Sequence, residues 1–467
     1  MAFPDIDEQL KRARIAQAEL GSYSQAKIDQ IVKALAWAIY RDDHAFELAS
    51  IAVSETKLGN IKDKIFKNKR KTLGTLSDLL PVKTVGIVRE DPRIGLTTYN
   101  KPIGVVGTLT PSTNPAATPA NQALMAVKGA NAIIVCPSPA GLGTAQKLKA
   151  FFDDALNDIG VPNDIFQVVL PPINFAKAEY LMKNVDLVLV TGDQNNVKKG
   201  YSSGTPCIGV GKGNVPVIID STANLEDAVA KIIASKTFDN STSCSSESCL
   251  IVLEDVYLKT MQLLEQSGGY IASETETLTI EKIQYKQNNT LNRDVIGRNL
   301  SELCKAFNLN ETVLKTKSFI IVPQNAVGPE FPLSGEKMSL VLSVYKACDF
   351  DQAISLTKSI LEYEGLGHSV GIHTSSSVNA RKLAENAKVA RVLVNQAHTF
   401  ANGGGANNAL PFTLTMGCGS WAGNSLSENL SIKHFVNKTV LVETYNKETL
   451  CAPSAFEEFY VETLDAK

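Results

Sequence analysis

The sequence predicts an α/β protein with a doubly wound parallel sheet in its first half. Short apolar runs of strand character alternate there with segments of helical periodicity, and such alternation is typical of parallel sheets covered by helices. The strand-like runs lie at 103–110, 131–136, 166–170, 186–192 and 215–220. Small and polar residues follow several runs directly, at the edge where open α/β sheets bind ligands. A chain of 467 residues also exceeds one simple core, so two or three domains are expected.

Residues 5–80 precede this sheet and are expected to be mostly helical. Apolar residues recur at helical spacing in 28–42, IDQIVKALAWAIYRD, which predicts an amphipathic helix. The basic run 62–71, KDKIFKNKRK, is interpreted as a solvated helix face, because such runs contact water more often than a ligand.

Composition and motif content exclude several functional classes. The formal net charge is -2, so nothing indicates nucleic acid binding or a charged tail. No apolar run reaches about 18 residues, so no membrane span is expected, and the N-terminus lacks the long apolar stretch of a secretory signal. Eight scattered cysteines without a CxxC pair suit a reducing cytoplasm. Five histidines without an HExxH motif predict no metal site.

Residues 237–253, TFDNSTSCSSESCLIVL, join a helical pattern to an apolar strand and contain Cys244. Buried cysteines usually replace small hydrophobes inside apolar runs, whereas Cys244 stands among hydroxyl residues. A thiolate is the most nucleophilic side chain near neutral pH, so one interpretation of Cys244 is a catalytic nucleophile. A half-buried strand cysteine is the alternative that the local sequence favours equally. Cys249 lies in the apolar part and is expected to pack in the core.

Two stretches resemble known motifs. The run 235–248, SKTFDNSTSCSSES, is similar to the cysteine motif of the aldehyde dehydrogenase superfamily, specifically of its CoA-acylating branch. The run 416–437, MGCGSWAGNSLSENLSIKHFVN, also matches that branch, and the similarity covers nearly the whole chain. The resemblance implies an aldehyde dehydrogenase-like fold. Its cofactor-binding domain would span 1–237 and its catalytic domain 238–420, while 421–467 would return to the cofactor domain and supply an oligomerisation strand.

The resemblance assigns catalytic roles to Cys244 and Asn114. Cys244 falls at the family's acyl-carrying cysteine. Asn114, in the run TPSTNP at 110–115, resembles the asparagine whose amide helps form the oxyanion hole. An amide donor suits this role because negative charge develops on the aldehyde oxygen as the thiolate attacks. From the residues alone, an Asn-Pro turn is the preferred interpretation of Asn114.

The resemblance places NAD or NADP against residues that follow the strands. Ser138 takes the position beside the adenosine ribose, and no acid that would repel a 2′-phosphate follows it until Asp153. Gly192 opens a helix whose free N–H groups favour phosphate, whereas the GxGxG at 209–213 is a weak signal alone. Glu336 resembles the glutamate that binds the nicotinamide ribose, with a surface glutamate as the alternative. The other expected cofactor contacts are Thr110, Pro111, Ser112 and Gly211.

An absence in the glycine-rich segment predicts the acyl acceptor. Hydrolytic aldehyde dehydrogenases carry a glutamate there, as the base for the water that cleaves the thioester. Residues 208–211 of this chain contain no Glu or Asp. The acyl group is therefore expected to pass to the thiol of coenzyme A, and hydrolysis to a free acid is the less favoured alternative. A non-catalytic member of the fold, which would tolerate loss of Cys244, is a second alternative.

Further substrate contacts are expected next to the cysteine and in the motif GLGHS. The hydroxyl residues Thr242, Ser243 and Ser245 flank the thiol. His368 resembles a histidine near the acylating site, where an imidazole can assist thiolate formation or contact coenzyme A. A turn histidine without a catalytic role is the alternative.

The loop 395–412, NQAHTFANGGGANNALPF, bears His398 and is expected to form a flexible substrate rim. A plain surface loop is the alternative. The segment looks most like that of sulfoacetaldehyde dehydrogenases, although it contains no Lys or Arg to hold a sulfonate. A sulfonate would then depend on amides, hydroxyls and His398. Sulfoacetaldehyde is the expected substrate, followed by acetaldehyde and succinate semialdehyde.

Two segments predict assembly into oligomers. Residues 84–101 alternate in a way that predicts a β-hairpin, with a turn at Asp91-Pro92. The resemblance assigns this hairpin to an oligomerisation arm. The run 438–446 can pair as an edge strand, and strand exchange of this kind predicts a homodimer or homotetramer.

Overall fold

The computed structural model describes residues 3–192, 194–445 and 453–456, and its first part is helical as expected. The helices are α1 (Pro4–Leu20), α2 (Gln25–Tyr40), α3 (Asp42–Thr56) and α4 (Ile61–Leu79). Helix α2 begins after Ser24, whose hydroxyl accepts a hydrogen bond from the Lys27 N–H and so satisfies a free donor of the first turn. An antiparallel hairpin follows, formed by β1 (Gly86–Asp91) and β2 (Leu96–Pro102).

A five-stranded parallel sheet comes next, in the spatial order β5-β4-β3-β6-β7. Its strands are β3 (Val105–Thr110), β4 (Ala132–Pro137), β5 (Phe166–Val168), β6 (Leu187–Thr191) and β7 (Cys207–Val210). The connecting helices are α5 (Ala117–Lys128), α6 (Leu142–Asn157), α7 (Phe175–Asn184) and α8 (Gln194–Tyr201). The chain runs outward from β3 to β5 and then returns to β6, so the strand order reverses between β3 and β6. Ligand crevices of doubly wound sheets form at such a switch point.

A seven-stranded parallel sheet forms the second half, in the order β10-β11-β12-β9-β8-β13-β14. Its strands are β8 (Val215–Ile219), β9 (Glu247–Leu253), β10 (Gly269–Ile271), β11 (Phe319–Pro323), β12 (Val341–Ala347), β13 (Val370–His373) and β14 (Val392–Val394). Its helices are α9 (Leu225–Thr237), α10 (Glu254–Gln266), α11 (Glu274–Gln284), α12 (Leu300–Ala306), α13 (Glu311–Leu314), α14 (Phe350–Tyr363), α15 (Ser377–Asn386) and α16 (His398–Ala401).

One strand lies in a different sheet from the one expected. The run 215–220 was expected to extend the first sheet, but β8 pairs with β9 and β13 of the second. Strand β7, in the glycine-rich segment, completes the first sheet instead. Apolar alternation identifies a parallel strand without indicating its neighbours, which explains the difference. The domain division at residue 237 stays a prediction.

The last strand, β15 (Val436–Val442), pairs antiparallel with β2 and extends the hairpin to three strands. The expected hairpin is therefore present and the C-terminal run pairs as an edge strand within the same chain, while strand exchange between subunits stays a prediction. Residues 446–452 and 457–467 of the C-terminal segment lie outside the described residues. No helix in the described part of the chain has the length and apolar character needed to cross a membrane.

The two parallel sheets face each other through opposite edges. Gly213 and Cys244 precede β8 and β9, so they lie at the amino edge of the seven-stranded sheet. Thr110 and Gly192 end or follow β3 and β6, at the carboxyl edge of the five-stranded sheet. Thr415 Oγ1 accepts a hydrogen bond of 3.1 Å from the Gln122 amide and lies 3.1 Å from Thr191 Oγ1, so the segment that contains Thr415 packs against the carboxyl edge of the five-stranded sheet. The candidate site lies in the cleft between the two sheets.

Candidate active site

Three consecutive residues before Cys244 have left-handed backbone angles. The angle φ is 49° at Asp239, 51° at Asn240 and 63° at Ser241, a region that Asp and Asn enter more readily than most residues. The Asn240 amide donates hydrogen bonds to the carbonyl oxygens of Gly59 and Gly297, which hold the turn in place. The turn thereby presents Cys244 immediately ahead of β9.

Gly213 allows the backbone of the neighbouring strand to approach Cys244 closely. A Cβ atom at position 213 would overlap the carbonyl oxygen of Cys244. The Gly213 N–H also donates a hydrogen bond to the carboxyl group of Glu336. This one glycine therefore links the candidate nucleophile to a buried acid.

The basic run on α4 is not a solvated face, which corrects the expectation from the sequence. Lys64, Lys67 and Lys71 are only 4%, 7% and 6% exposed. Their spacing of three and four residues places them on one face of the helix, which turns inward. Of the other basic residues in the run, Lys69 is on a different face and pairs with the exposed Asp42.

The buried carboxylate of Asp239 is the counter-charge for two of these lysines. Lys64 and Lys67 both contact Asp239 Oδ2, and the Thr242 hydroxyl donates to the same oxygen at 2.7 Å. Burial alone would raise the pKa of Asp239, but the two ammonium groups hold it below its ordinary value. Burial lowers the pKa of Lys64 to about 8 despite this pairing. The cluster thus fixes charges of both signs directly behind the cysteine turn.

A cavity beside Cys244 is lined by aromatic and cationic side chains. It has an apolar wall, a cationic wall and three polar positions. The lining residues are Phe66, Phe238, Phe400, Leu414, Lys67, Arg70, Lys71, Asn114, Ser243 and Thr399. The rings of Phe238 and Phe400 pack edge to face at 4.8 Å between centroids. The lining contains no carboxylate, so the cavity favours an anionic over a cationic ligand.

Asn114 is oriented by one of the buried lysines. Its side-chain Oδ1 accepts a hydrogen bond of 2.8 Å from Lys67 Nζ. A lysine ammonium can only donate, so this contact determines which end of the amide faces it. The Nδ2 end is therefore available as a donor, apart from a long contact of 3.4 Å to Thr113 Oγ1.

The electrostatic surroundings keep the Cys244 thiol protonated. Burial raises its pKa to about 12, and the neighbouring Glu336 and Cys418 add to the effect. A side-chain hydrogen bond with Ser245 and the positive charge of Arg391 act in the opposite direction. Glu336 itself is buried, and its pKa is raised to about 8 by burial and by Glu364. Ionisation of Cys244 and ionisation of Glu336 therefore oppose each other.

The candidate cofactor residues gather at the switch point of the first sheet. Thr110 is buried, and its Oγ1 has no hydrogen-bond partner among the described residues. Its carbonyl accepts from the Ser138 N–H across the ends of β3 and β4. Gly192 has φ of 133° and lies against Pro111, so a side chain there would be strained. Half-buried Ser112 follows in the same turn. An unpaired hydroxyl at this crevice fits a polar cofactor.

Gly211 follows β7 at the same sheet edge as Gly192, whose N–H donates to the Val210 carbonyl at 3.2 Å, whereas Glu336 lies across the cleft near Gly213. The Gly211 N–H hydrogen-bonds the thiol of Cys418, and its Cα packs against the Gln194 side chain. The backbone N–H of Glu336 donates to Glu364 Oε2 at 2.7 Å. Glu336 therefore neighbours Cys244, whereas Gly211 lies beside Cys418, and the assignment of both residues to the cofactor stays a prediction.

The two candidate histidines are buried together away from the cavity lining. Ser369 Oγ lies 2.8 Å from His368 Nδ1 and 2.9 Å from His398 Nε2. Burial lowers the pKa of both, to about 3 for His398. His398 belongs to the short helix α16 and is 1% exposed, so it does not form the flexible rim that was expected. Its neighbours Thr399 and Phe400 line the cavity instead.

The hydroxyl residues around Cys244 have different surroundings. Ser243 lines the cavity. Thr242 is buried against Asp239, and Ser245 accepts a hydrogen bond of 2.9 Å from the Asn402 amide. Of these three candidates for substrate contact, only Ser243 faces the cavity.

Sequence reasoning missed the cationic and aromatic walls of the cavity. The expected rim loop has no basic residue, but α4 supplies the cations: Arg70 Nη2 donates to the carbonyls of Phe400 and Gly404, at 2.7 and 3.2 Å. Lys71 Nζ donates to the carbonyls of Gly403 and Thr413. The spacing of Lys64, Lys67 and Lys71 was the available signal for an inward basic face.

Two parallel sheets that flank a cysteine turn, together with a separate three-stranded antiparallel sheet, define the aldehyde dehydrogenase class of enzymes. The described fold is similar to the crystal structure of an acetylating aldehyde dehydrogenase from Geobacillus thermoglucosidasius. That structure has a TM-score of 0.92 and 33% identity, over 96% of this chain and 98% of that one. The family model described as the aldehyde dehydrogenase family matches residues 3–271.

Two curated relatives are similar over most of their length. An acylating sulfoacetaldehyde dehydrogenase from Cupriavidus necator is 43% identical over 92% of this chain and 87% of that protein. A sulfoacetaldehyde dehydrogenase from Acholeplasma sp is 38% identical over 93% of this chain and 90% of that protein. The chain therefore belongs to the aldehyde dehydrogenase family, in its CoA-acylating branch, and is an oxidoreductase.

Proposed function

We propose that this chain oxidises sulfoacetaldehyde to sulfoacetyl-CoA, with NAD(P)+ as oxidant and coenzyme A as acyl acceptor. The observation that supports this choice of substrate is the cavity beside Cys244, which has a cationic wall and no carboxylate in its lining. A sulfonate is a permanent anion that such a wall would attract. The names of the two relatives above agree with this choice, and acetaldehyde is the runner-up.

Cys244 is proposed as the nucleophile. Its thiol releases its proton to solvent, and the sulfur attacks the aldehyde carbon, so that a carbon–sulfur bond forms while the carbonyl electrons move to oxygen. The Asn114 Nδ2 donor, held by Lys67, faces the developing oxyanion. NAD(P)+ held at the switch point would supply the acceptor for the hydride of the same carbon. The thioester that remains on Cys244 is then attacked by the thiolate of coenzyme A, and Cys244 is released, as in other two-step acyl transfers. The same steps reversed would reduce the acyl-CoA.

The missing acid near β7 supports a thiol as the acyl acceptor. Residues 207–210 form the edge strand β7, which contains no Glu or Asp. Asp239, the acidic group within the cysteine turn itself, is committed to Lys64 and Lys67. Neither position offers a base that could activate water for hydrolysis.

The cofactor is proposed to bind at the switch point between β3 and β6. Thr110, Pro111, Ser112 and Gly192 would contact it at the strand ends, and Ser138 at the adenosine ribose. The unpaired hydroxyl of Thr110 supports this placement. Described residues place no carboxylate in hydrogen-bond contact with Ser138, so NAD and NADP are both compatible with this position.

We also propose a homodimer or homotetramer built through the three-stranded sheet. Val440, Leu441 and Val442 of β15 are 48%, 49% and 69% exposed, which makes an apolar strip at the sheet edge. A second copy would cover this strip. Sedimentation of the wild-type chain beside a Leu441→Glu variant tests this, since the variant should shift towards monomer.

The test of the proposed function is NAD(P)H formation from sulfoacetaldehyde, acetaldehyde and succinate semialdehyde, each with and without coenzyme A. Both NAD and NADP are compared, and Cys244→Ala serves as the inactive control. We expect turnover that requires coenzyme A and favours sulfoacetaldehyde. Preference for acetaldehyde would contradict the proposed substrate. Repeated turnover to free acid without coenzyme A would contradict the proposal that coenzyme A is the acyl acceptor.

A further inference from the structure

Arg70 lies where the inner cavity meets an outer polar cleft. Ser243 and Asn114 line the inner cavity with it. The outer cleft is also lined by Arg70 and Phe400, together with Lys231 and the side chains of the 395–408 segment. An aldehyde that enters from solvent through this cleft therefore passes Arg70 before it reaches Cys244.

The guanidinium of Arg70 has unused donors. Its hydrogen bonds to described residues use Nη2 alone, with the carbonyls of Phe400 and Gly404 as acceptors. The guanidinium also lies over the rings of Phe400 and Phe412, at 5.6 and 5.5 Å from their centroids. These contacts hold the planar group in place while Nε and Nη1 have no acceptor in the described part of the chain. A fixed fork of this kind matches the oxygens of a sulfonate or carboxylate.

Arg70 also differs from Lys64 and Lys67 in charge balance. Lys64 and Lys67 share the carboxylate of Asp239, and Lys71 donates to two carbonyl groups. No carboxylate lies within ion-pair distance of Arg70 among the described residues. A half-buried cation without a counter-ion is costly to desolvate, so an anionic ligand gains more here than at a paired lysine.

We infer that Arg70 is the residue that selects aldehydes with an anionic tail, by binding the sulfonate oxygens through Nε and Nη1. The inference rests on the proposed function, because it assumes an anionic aldehyde as substrate. The aldehyde group then points into the inner cavity, towards Asn114 and Cys244. An uncharged aldehyde such as acetaldehyde cannot make this contact.

The test compares Arg70→Gln and Arg70→Lys with the wild-type enzyme on sulfoacetaldehyde and acetaldehyde. We expect the ratio of kcat/KM for sulfoacetaldehyde to that for acetaldehyde to fall about 10- to 100-fold in Arg70→Gln, since one charge-assisted pair is lost. Arg70→Lys should lie in between, because an ammonium keeps the charge without the fork. The loss should fall mainly on KM for sulfoacetaldehyde.

Lys69→Gln is the matched control. Lys69 precedes Arg70 on the same helix but faces Asp42 at the surface, so its substitution removes one positive charge without touching the cavity. Its ratio should equal that of the wild type. If Arg70→Gln loses activity on both aldehydes in equal proportion, the role of Arg70 is only structural and the inference is wrong. An unchanged ratio overturns it as well.

A second measurement covers the case in which Arg70→Gln does not fold. Ethanesulfonate should protect Cys244 of the wild type from alkylation by iodoacetamide, and protect Arg70→Lys less. Absence of protection in the wild type would overturn the inference. The substrate proposal is judged separately, from the wild-type preference between the two aldehydes, so the two can fail independently.

Discussion

The ammonium of Lys67 donates to Asn114 Oδ1 at 2.8 Å while it contacts the buried carboxylate of Asp239. A single lysine thus connects a fixed anion to the amide that faces the cavity. Its position determines the orientation of that amide, and its charge polarises the amide towards stronger donation from Nδ2. Lys67 therefore acts on the candidate oxyanion site through Asn114.

Replacing Lys67 by Met should lower kcat about 10- to 100-fold with a smaller change in KM, because Asn114 loses its restraint. Asn114→Ala should cost about 100- to 1000-fold. Because Lys67 acts through Asn114, adding Lys67→Met to Asn114→Ala should cost little more. Steady-state kinetics of the four proteins measure this coupling. Lys64→Met, which also touches Asp239 but not Asn114, is the control, and a full additive loss would contradict the link.

The thiol of Cys244 should titrate at high pH in the protein without ligands. Its pKa is raised to about 12 by burial and by Glu336, so the thiolate fraction keeps growing above the usual range of a cysteine. Alkylation of Cys244 by iodoacetamide in the intact protein can be followed by mass spectrometry of the peptide that contains it. Its rate should rise about tenfold for each pH unit from pH 7 to 10. A plateau between pH 8 and 9 would show an ordinary thiol and contradict this prediction.

Glu336→Gln should increase the reactivity of Cys244 in the free protein. The ionised Glu336 carboxylate raises the pKa of the thiol, and its removal lowers that pKa. Alkylation at pH 9 should therefore be faster than in the wild type. The exposed Glu362→Gln, which removes the same charge at the surface, is the control and should react at the wild-type rate. Slower alkylation in Glu336→Gln would mean that Glu336 lowers the pKa of the Cys244 thiol, which contradicts this prediction.

Asp239→Asn should destabilise the fold by about 3–5 kcal/mol, because Lys64 and Lys67 would be left buried without a counter-charge. The pKa of Asp239 is held below its ordinary value, so this stabilisation is present at neutral pH. It is lost as pH falls through that lowered pKa. Urea unfolding at pH 7 measures the free energy. Asp42→Asn, which breaks the exposed pair with Lys69, should cost at most about 1 kcal/mol.

Gly213→Ala should impair catalysis more than folding. The added methyl would overlap the Cys244 carbonyl and displace the nucleophile, so kcat should fall at least about tenfold. Gly21→Ala is the matched control, since a Cβ there meets its neighbours at ordinary contact distances from 3.4 Å. Wild-type kcat in Gly213→Ala would mean that the backbone of Cys244 can shift without consequence.

The fold could be predicted from the sequence because strand periodicity is a local property. Alternating apolar runs identified β3, β4, β5 and β6, and the hairpin turn at Asp91-Pro92 was also visible. The partners of a strand are not local, which is why 215–219 was placed in the wrong sheet. Pairing depends on where the chain crosses between sheets, and the glycine-rich run before β8 gives no signal for that crossing.

The site was predictable only in part, for a related reason. Cys244 and Asn114 stand in distinctive local patterns, and the structure places Asn114 and the cysteine's neighbour Ser243 around one cavity. The inward face of α4 was missed because the sequence pattern around a lysine is the same whether its side chain faces water or a buried aspartate. Its counter-charge, Asp239, is more than 160 residues away in the chain. His398 was misplaced because a polar run does not reveal a short buried helix.

Helix α4 has a consequence for how this enzyme can change during evolution. It brings Lys67 and Arg70 to the cavity, while the nucleophile and the strand ends at the switch point come from other segments. A substitution at Arg70 can therefore alter which aldehyde is accepted while Lys67, about one turn earlier on the helix, keeps Asn114 oriented. A change of accepted aldehyde can in this way begin at one position of α4, without a change in the segments that carry Cys244 and the switch point.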